Sequence, residues 1–276
     1  MKKRKILHAL IYAVLTLGAL LVFFPFYLTV VSSLKDMSDI FSNFFGLPRH
    51  IVFDNFAYVL QRPDYFIALK NSAIITGVAI VAMVFFLPMC AYAISRRRFT
   101  SRFYSFLYFF MVAGIFIPFQ VKMLPMVKLM SNIGLLNRTG AILFYIANST
   151  CEGIFLLVGY LASMPTDLEE AAYIDGAGFY RTFFVIVFPL AKSGLATGAI
   201  LQFLTSWNEF MFGLVLTKST EVRTLPLALN YFTSQFSFNY TAMFAALTMV
   251  ILPCIVIYVL LQEQVTTSMV AGSVKG

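Results

Sequence analysis

Five side chains that could do chemistry lie inside apolar stretches of this sequence: Asn148, Glu152, Trp207, Asn208 and Glu209. If those stretches cross a membrane, an ionisable group there is costly and usually faces a bundle interior or a cavity. Amide and carboxylate groups beside an indole ring offer hydrogen bonds and an aromatic face to a polar ligand. The alternative for Glu209 is a hydrogen bond to a helix of a partner subunit.

A second polar group lies in the run TDLEEAAYIDGAG at residues 166–178. Thr166 and Glu169 have the spacing of a capping box, which predicts a helix starting there. Gly176 and Gly178 are placed to end that helix. The pattern predicts a short helix whose alanines allow a partner to approach closely and whose acids could meet a basic edge. The alternative is a solvated connecting helix, because capping boxes are frequent.

The sequence has no metal-site or disulfide pattern. Its three cysteines, Cys90, Cys151 and Cys254, all fall inside apolar stretches, where free cysteine packs like a small hydrophobic residue. His8 and His50 have no ligand-like residues near them in sequence. We therefore predict no metal, no cofactor and no catalytic centre in this chain.

The composition indicates a membrane protein. Apolar residues make up 60% of the 276 residues and charged residues 12%, whereas a soluble domain carries about 25% charged residues. A membrane-spanning helix needs about 20 apolar residues. Six runs meet that length, at residues 8–31, 71–94, 103–121, 139–161, 190–216 and 242–262. None alternates as transmembrane β-strands do, so we predict an all-α integral membrane protein with six transmembrane helices in a single domain over 1–276.

The basic residues predict the orientation of the helices. Residues 2–5 are all basic, and the short link 95–102 holds four arginines and no acid. Short loops rich in Lys and Arg mark the cytoplasmic side, so we expect both termini and the loop 162–189 in the cytoplasm. Charge placed in this way favours a lipid bilayer over nucleic acid, despite the net charge of +8. A signal peptide has an apolar region of only about 7–15 residues, so we expect the first helix to be retained.

The loop 162–189 resembles the EAA motif of the integral membrane subunits of bacterial ABC importers. The family pattern is EAA, three residues, Gly, nine residues, then I-x-L-P. This chain has Glu170-Ala171-Ala172, Gly176 and Ile186-Val187-Phe188-Pro189, with Phe188 in place of leucine. Asp175 and Ala177 fit the common DGA form of the motif. The resemblance implies a cytoplasmic coupling helix between transmembrane helices 4 and 5.

The resemblance covers nearly the whole chain and narrows to the carbohydrate-uptake subfamily, with the smaller maltose-type permease subunit most similar. Ala91-Tyr92-Ala93 with Arg96, the run IPFQVKMLPM at 117–126, and Trp207-Asn208-Glu209-Phe210 are similar to elements of that subfamily. The tail MVAGSVKG at 269–276 is similar to its closing residues. The implied function is translocation of a sugar or oligosaccharide across a bacterial cell membrane.

The resemblance also implies partners. These are a second homologous permease, a cytoplasmic ATPase dimer that binds ATP and Mg²⁺, and an extracytoplasmic solute-binding protein. The sequence contains no GxxxxGK[ST] loop, so we expect ATP to be bound by another chain. Glu170, Ala171, Ala172, Asp175, Gly176 and Ala177 would form the docking surface for the ATPase.

The tail residues Gly272, Lys275 and Gly276 would reach toward the ATPase, or would be a frayed terminus. Two other function classes remain as alternatives. A stand-alone secondary transporter of a small polar solute would normally show more spans or an inverted repeat. A membrane enzyme would need a set of catalytic groups at one depth, and the sequence offers only two isolated glutamates there.

Overall fold

The computed structural model describes residues 2–216, 222–229, 233–234 and 237–273, and nearly all of them are helical. The helices of the first half are α1 Lys2–Ser33, α2 Met37–Ser42, α3 Asp54–Leu60, α4 Pro63–Phe85, α5 Leu87–Arg97, α6 Arg102–Ile115 and α7 Phe119–Asn132. Those of the second half are α8 Arg138–Ala162, α9 Asp167–Ile174, α10 Phe179–Thr182, α11 Phe188–Leu190, α12 Lys192–Trp207, α13 Met211–Leu216, α14 Leu225–Ala228 and α15 Tyr240–Ser273. A π-helical turn, Phe183–Val187, joins α10 to α11. The prediction of an all-α chain is confirmed, apart from an antiparallel pair of two-residue strands, β1 Thr233–Ser234 and β2 Ser237–Phe238.

Four helices among the described residues are long and apolar enough to cross a membrane: Arg4–Ser33, Pro63–Arg97, Arg138–Ala162 and Tyr240–Glu263. Two further spans are possible only as bent pairs. Arg102–Ile115 and Phe119–Asn132 meet at 103°, and Phe179–Leu190 and Lys192–Trp207 meet at 73°. The count of six therefore stays a prediction that depends on each bent pair acting as one span.

The two bent pairs stand where single continuous spans were predicted at 103–121 and 190–216. In the first bent pair, α6 ends at Ile115, because Pro118 cannot donate a backbone hydrogen bond and disfavours helical geometry in the residue before it. Pro118 itself is extended, with φ −58° and ψ 146°, and α7 starts directly after it. In the other pair, α12 ends at Trp207 rather than running to 216.

The chain forms two compact units. One comprises residues 67–227 and 254–276, and its main core lies where α4 and α5 pack against α8, the π-helical turn and the start of α12. The fully or nearly fully buried side chains of this core include Met83, Tyr92, Leu157, Phe183 and Leu195. A second cluster packs Ile75 and Ala79 against Met130 and Phe144.

Residues 1–66 and 228–253 form the other unit, which includes α1, α2 and α3. The most apolar window of α1 has no buried residues, so its surface requires lipid or another protein to cover it. Asp36 begins α2 by accepting hydrogen bonds from the Ser38 hydroxyl and the Asp39 N–H, each at 2.7 Å. The Ser38 bond is the main reason that the pKa of Asp36 is lowered.

Lys35 is the centre of the segment that follows α1. Its side chain is fully buried, and its ammonium group donates to the carbonyls of Asn43 and Phe44, the latter at 3.1 Å. The Asn55 amide donates to the carbonyls of Ser33 and Lys35 at 2.9 and 2.8 Å. Two long-range side chains thus fix the backbone at the end of α1.

We expect Lys35→Met to destabilise the protein, because two partly buried carbonyls, those of Asn43 and Phe44, lose their donor. Each buried group left unpaired costs about 1–3 kcal/mol. The midpoint of thermal unfolding in detergent measures the effect. Lys70→Met is the matched control, since Lys70 is exposed on α4. Equal midpoints for the two variants would contradict this account of Lys35.

Candidate functional site

The helix α9 carries the acidic stretch that the sequence singled out. It begins after Thr166, whose side chain makes no capping bond to the backbone. The predicted capping box is wrong, because the Glu169 side chain does not turn back toward Thr166. It is buried instead, and it accepts hydrogen bonds from Tyr92 and Arg96 of α5. The Thr166 hydroxyl lies 3.2 Å from Glu170 Oε1.

Arg96 forms an ion pair with Glu169. Its Nη2 donates to Glu169 Oε1 at 2.5 Å, and its Nε lies 3.0 Å from Oε1 and 3.3 Å from Oε2, so two guanidinium nitrogens contact the one carboxylate. The Tyr92 hydroxyl donates to Glu169 Oε2 at 2.7 Å. Arg96 Nη1 also donates to the carbonyl of Leu161, in the last turn of α8, at 2.9 Å. We call Arg96, Glu169 and Tyr92 the clamp, because these residues join α5, α8 and α9 at one point.

Gly176 ends α9 as predicted. Its φ of +82° lies in the left-handed region that favours glycine. The N–H of Gly176 donates to the Tyr173 carbonyl at 3.1 Å, and the N–H of Ala177 donates to the Ala172 carbonyl at 2.9 Å. This pair of bonds is a Schellman motif, which satisfies carbonyls at the helix end. Gly178 has a different position from the one predicted, since it precedes α10 with φ −77° and ψ 169°.

The six proposed docking residues do not all face outward. Glu170, Ala171, Asp175 and Gly176 are exposed, and Ala177 is half-buried. Ala172 is only 7% exposed, and it lines the groove on this side of α9 together with its exposed neighbours. Beside them, Leu168, Ala171, Asp175 and Arg181 contribute to the lining of a groove of about 330 Å³ between α9 and the segment after it. Ile174, 86% exposed, adds an apolar side chain to this surface.

A cavity of about 370 Å³ lies between α8, α12 and the end of α6. Its polar lining groups are Ser149 and Glu152 of α8 and Gln202 and Thr205 of α12, and most of the other lining groups are apolar. Glu152 is exposed, near the middle of α8, and makes no hydrogen bond or ion pair within the part of the chain that the structure describes. A carboxylate in that position is open to a ligand or a partner.

Asn148 lies one helical turn before Glu152 on the same face of α8. Its side-chain oxygen accepts a hydrogen bond from Lys122 of α7 at 2.7 Å. Asn148 is not among the residues that line the cavity. Lys122 was not singled out by the sequence analysis, although a lysine in an otherwise apolar segment is a signal of the same kind as Glu152.

Trp207, Asn208 and Glu209 lie where the helix breaks, not within a continuous helix. Trp207 is 5% exposed and stacks on Phe203, with ring centroids 5.4 Å apart. Glu209 accepts hydrogen bonds from the Tyr145 hydroxyl at 2.6 Å and from the Gly213 N–H at 3.1 Å. The Asn208 amide donates to the Leu204 carbonyl at 3.0 Å. The acid and the amide thus stabilise backbone groups at the break, and the indole ring packs inside.

The predicted tail residues are only partly within the structure. Gly272 belongs to α15, whereas Lys275 and Gly276 lie outside the described residues. No group of three or more His, Cys, Asp or Glu side chains that could hold a metal is found in the described ranges.

The residues that sequence reasoning missed are Arg96 and Tyr92 as partners of Glu169. The sequence did offer a signal: Arg96 is the first charged residue after the apolar run 71–94, and Glu169 belongs to a short loop predicted on the same side. The basic cluster and the subfamily resemblance both include Arg96, but neither indicates its partner. The two residues are 73 positions apart, and no local pattern joins them.

The comparison with solved structures finds the same fold in a bacterial ABC transporter involved in the import of the acidic polysaccharide alginate. The TM-score is 0.83, with 24% identity, over 95% of this chain and 98% of the other. A second structure, of a bacterial alginate ABC transporter in complex with an alginate pentasaccharide-bound periplasmic protein, matches with a TM-score of 0.65 and 16% identity. It covers 97% of this chain and 95% of that one.

Similar sequences are known from several bacteria. A multiple sugar-binding transport system permease protein of Streptococcus mutans is 36% identical over 99% of both chains. A probable starch degradation products transport system permease protein of Thermoanaerobacterium thermosulfurigenes is 33% identical over 91% of both chains. A diacetylchitobiose uptake system permease protein of Streptomyces coelicolor is 32% identical over 96% of this chain and 88% of its own length.

Residues 87–269 match the model of one protein family, described as the binding-protein-dependent transport system inner membrane component. That range includes the clamp, α9 and every residue that lines the cavity except Met83. The resemblance that the EAA motif carried is thereby confirmed: the chain belongs to the family of binding-protein-dependent transport system inner membrane components.

Proposed function

We propose that this chain is the membrane-spanning subunit of an ATP-driven ABC importer that moves a sugar or oligosaccharide into a bacterial cell. The relatives that cover nearly the whole chain support the sugar class, since their names refer to multiple sugars, starch products and diacetylchitobiose. The observation that carries the coupled mechanism is α9, a short helix with an exposed acidic and apolar face that the clamp holds against α5 and α8.

The clamp also supports the predicted orientation of the helices across the membrane. Arg96 lies at the start of the arginine-rich link 95–102, so α9 lies at the same end of its unit as that link. Loops rich in arginine remain in the cytoplasm. With six spans in a single permease domain over 1–276, both termini and α9 would then be cytoplasmic, within the bacterial cell membrane.

The chain itself would be non-catalytic. A dimeric ATPase would bind ATP and Mg²⁺ in the cytoplasm, a second homologous permease would complete the pathway, and a solute-binding protein would deliver the sugar from outside. ATP binding in the partner would shift an equilibrium between inward-open and outward-open states. The tail, with Gly272, Lys275 and Gly276, would also approach the ATPase.

The docking surface would consist of Glu170, Ala171, Asp175 and Gly176, with Ala177 at its edge. Glu170 and Asp175 supply the negative charge, and the small side chain of Ala171 permits close approach. Ala172 would line the groove beside them, and its carbonyl accepts one bond of the Schellman motif. Exposed Ile174 would add the apolar contact.

The translocation pathway would include the cavity beside Glu152. Its one carboxylate, one amide and two hydroxyl groups suit the hydroxyl groups of a sugar, and the apolar lining suits the C–H face of a sugar ring. Asn148 would hold Lys122 near this site. Trp207, Asn208 and Glu209 would contribute by fixing the broken end of α12 and not by touching the sugar.

The first test is affinity purification of the chain in mild detergent, with mass spectrometry of the proteins that accompany it. We expect a second six-span permease and a P-loop ATPase in comparable amounts. The chain alone, in a detergent that keeps other such complexes intact, would overturn the proposal. Uptake that an ionophore stops while ATP remains would favour a secondary transporter instead.

Glu170→Ala should weaken binding of the ATPase, because a charge-assisted hydrogen bond contributes about 1.5–3 kcal/mol. That range corresponds to roughly a 10- to 100-fold weaker affinity. The amount of ATPase recovered with the purified chain measures the effect. Asp167→Ala is the matched control, an exposed acid at the start of the same helix. Equal recovery from both variants would remove Glu170 from the docking surface.

Gly176→Ala should lower uptake, whereas Gly178→Ala should not. A Cβ atom has open space at both positions, so crowding does not distinguish them. Only Gly176 has a left-handed backbone, which costs an alanine about 1–2 kcal/mol. Uptake in cells, normalised to the amount of chain in the membrane, measures the difference. Equal uptake by both variants would show that the end of α9 does not need this geometry.

Glu152→Gln should reduce uptake by roughly 10-fold or more, since hydrogen bonds to charged groups contribute about 1.5–3 kcal/mol. Recovery of the complex should stay unchanged, because Glu152 has no partner among the described residues. Thr150→Val is the control, since the Thr150 hydroxyl bonds to its own helix at the Ile146 carbonyl and lies outside the cavity lining. Wild-type uptake by Glu152→Gln would exclude the carboxylate from the pathway.

A further inference from the structure

The clamp fixes the orientation of three helices as well as the position of one loop. Arg96 is 18% and Glu169 7% exposed on their side chains, so the ion pair is mostly withdrawn from water. A planar guanidinium held by two bonds to one carboxylate has a fixed orientation, unlike a lysine ammonium. Its third nitrogen, Nη1, donates to the Leu161 carbonyl. The three helices α5, α8 and α9 are therefore tied with little rotational freedom.

Tyr92 extends this arrangement to the segment after α9. Its hydroxyl donates to Glu169, and its ring lies 5.2 Å from that of Phe179 and 5.4 Å from that of Phe183, between centroids. Tyr92 is 1% exposed. One side chain thus contacts α9, α10 and the π-helical turn together.

The covalent path from α9 to α12 is much less direct. It passes through left-handed Gly176, the short helix α10, the π-helical turn, α11 and the 73° bend at Ala191. The direction of the backbone therefore changes several times along this path. By contrast, α8 continues without a break from Leu161 at the clamp to Glu152 at the cavity.

We propose, resting on the proposed function, that Arg96 is a positioning residue for coupling, with Tyr92 as its support. By holding Glu169, Arg96 makes α5, α8 and α9 move together as one rigid unit. Displacement of α9 by the ATPase then reaches the cavity along α8 and not through the 175–191 connection. Arg96 touches neither ATP nor sugar in this scheme, and its effect is on how motion is transmitted.

The test measures that transmission directly. Cys90→Ser, Cys151→Ser and Cys254→Ser provide a background without native thiols, and Thr205→Cys places a reporter in the cavity lining. The complete complex is treated with N-ethylmaleimide, with and without ATP plus vanadate, and the labelling rates are compared. We expect the wild-type clamp to give a several-fold change in labelling rate between the two conditions.

Arg96→Lys keeps the positive charge but loses the planar guanidinium with its several donors. Glu169→Gln keeps the shape of the side chain but loses its negative charge. Both should reduce the change in labelling rate to less than half of its wild-type value, although ATP is still hydrolysed. Tyr92→Phe removes only the hydroxyl and should give a partial loss, and it tests the clamp if the charge variants do not assemble. Arg97→Lys, at the exposed neighbouring residue, is the control and should keep the full response.

A full response in any assembled clamp variant would overturn the inference, and so would a loss of complex yield with no loss of response. Both outcomes would mean that the clamp is structural only. The proposed function fails separately: in that case, the parent protein with an intact clamp would co-purify with no ATPase, or its labelling would not respond to ATP and vanadate.

Discussion

The absence of water in the hydrocarbon core constrains this chain more than any contact in it. Every backbone N–H and C=O there needs a partner within the protein, which favours long helices. Where a helix is interrupted, other groups of the protein must bond the backbone groups that the break leaves free. After Trp207, where α12 ends, Asn208 donates to the Leu204 carbonyl and Glu209 accepts from the Gly213 N–H. A soluble protein would use such polar side chains for catalysis or solubility. In this chain they form hydrogen bonds with backbone groups.

This constraint explains how much could be predicted from the sequence. Helix type and the approximate positions of the apolar stretches follow from composition and length, because few other structures satisfy the backbone in lipid. The left-handed end of α9 at Gly176 could also be predicted, since the signal is a single residue type at a local turn. Pro118 marks the bend at 116–118 in the sequence, whereas the bend at Ala191 was missed, because hydropathy averages over a window and does not register a break of a few residues.

The candidate site, too, could be predicted only in part from the sequence. The EAA spacing identified α9 and its family, but not the direction of each side chain. Glu169 fitted a capping box by local spacing, yet its hydrogen bonds go to a half-buried arginine 73 residues earlier and a buried tyrosine 77 residues earlier, and not to the helix start. Trp207 and Glu209 looked like ligand-binding groups by type, and tertiary packing uses them inside the chain. Long-range pairing decides these roles, and one sequence alone carries no information about it.

The separation of Arg96 and Glu169 along the chain also has a consequence for biosynthesis. The ribosome adds roughly 5–20 residues per second, so 73 residues separate the two partners by on the order of ten seconds. During that interval, α5 has been made with an arginine at its end and no carboxylate to meet it, while α6, α7 and α8 are still being produced. The last turn of α8 and the acid of α9 emerge close together. The junction of three helices can therefore close only as a late event, after the insertion of the segments it unites, and an insertion machinery or lipid phosphate has to accommodate the arginine until then.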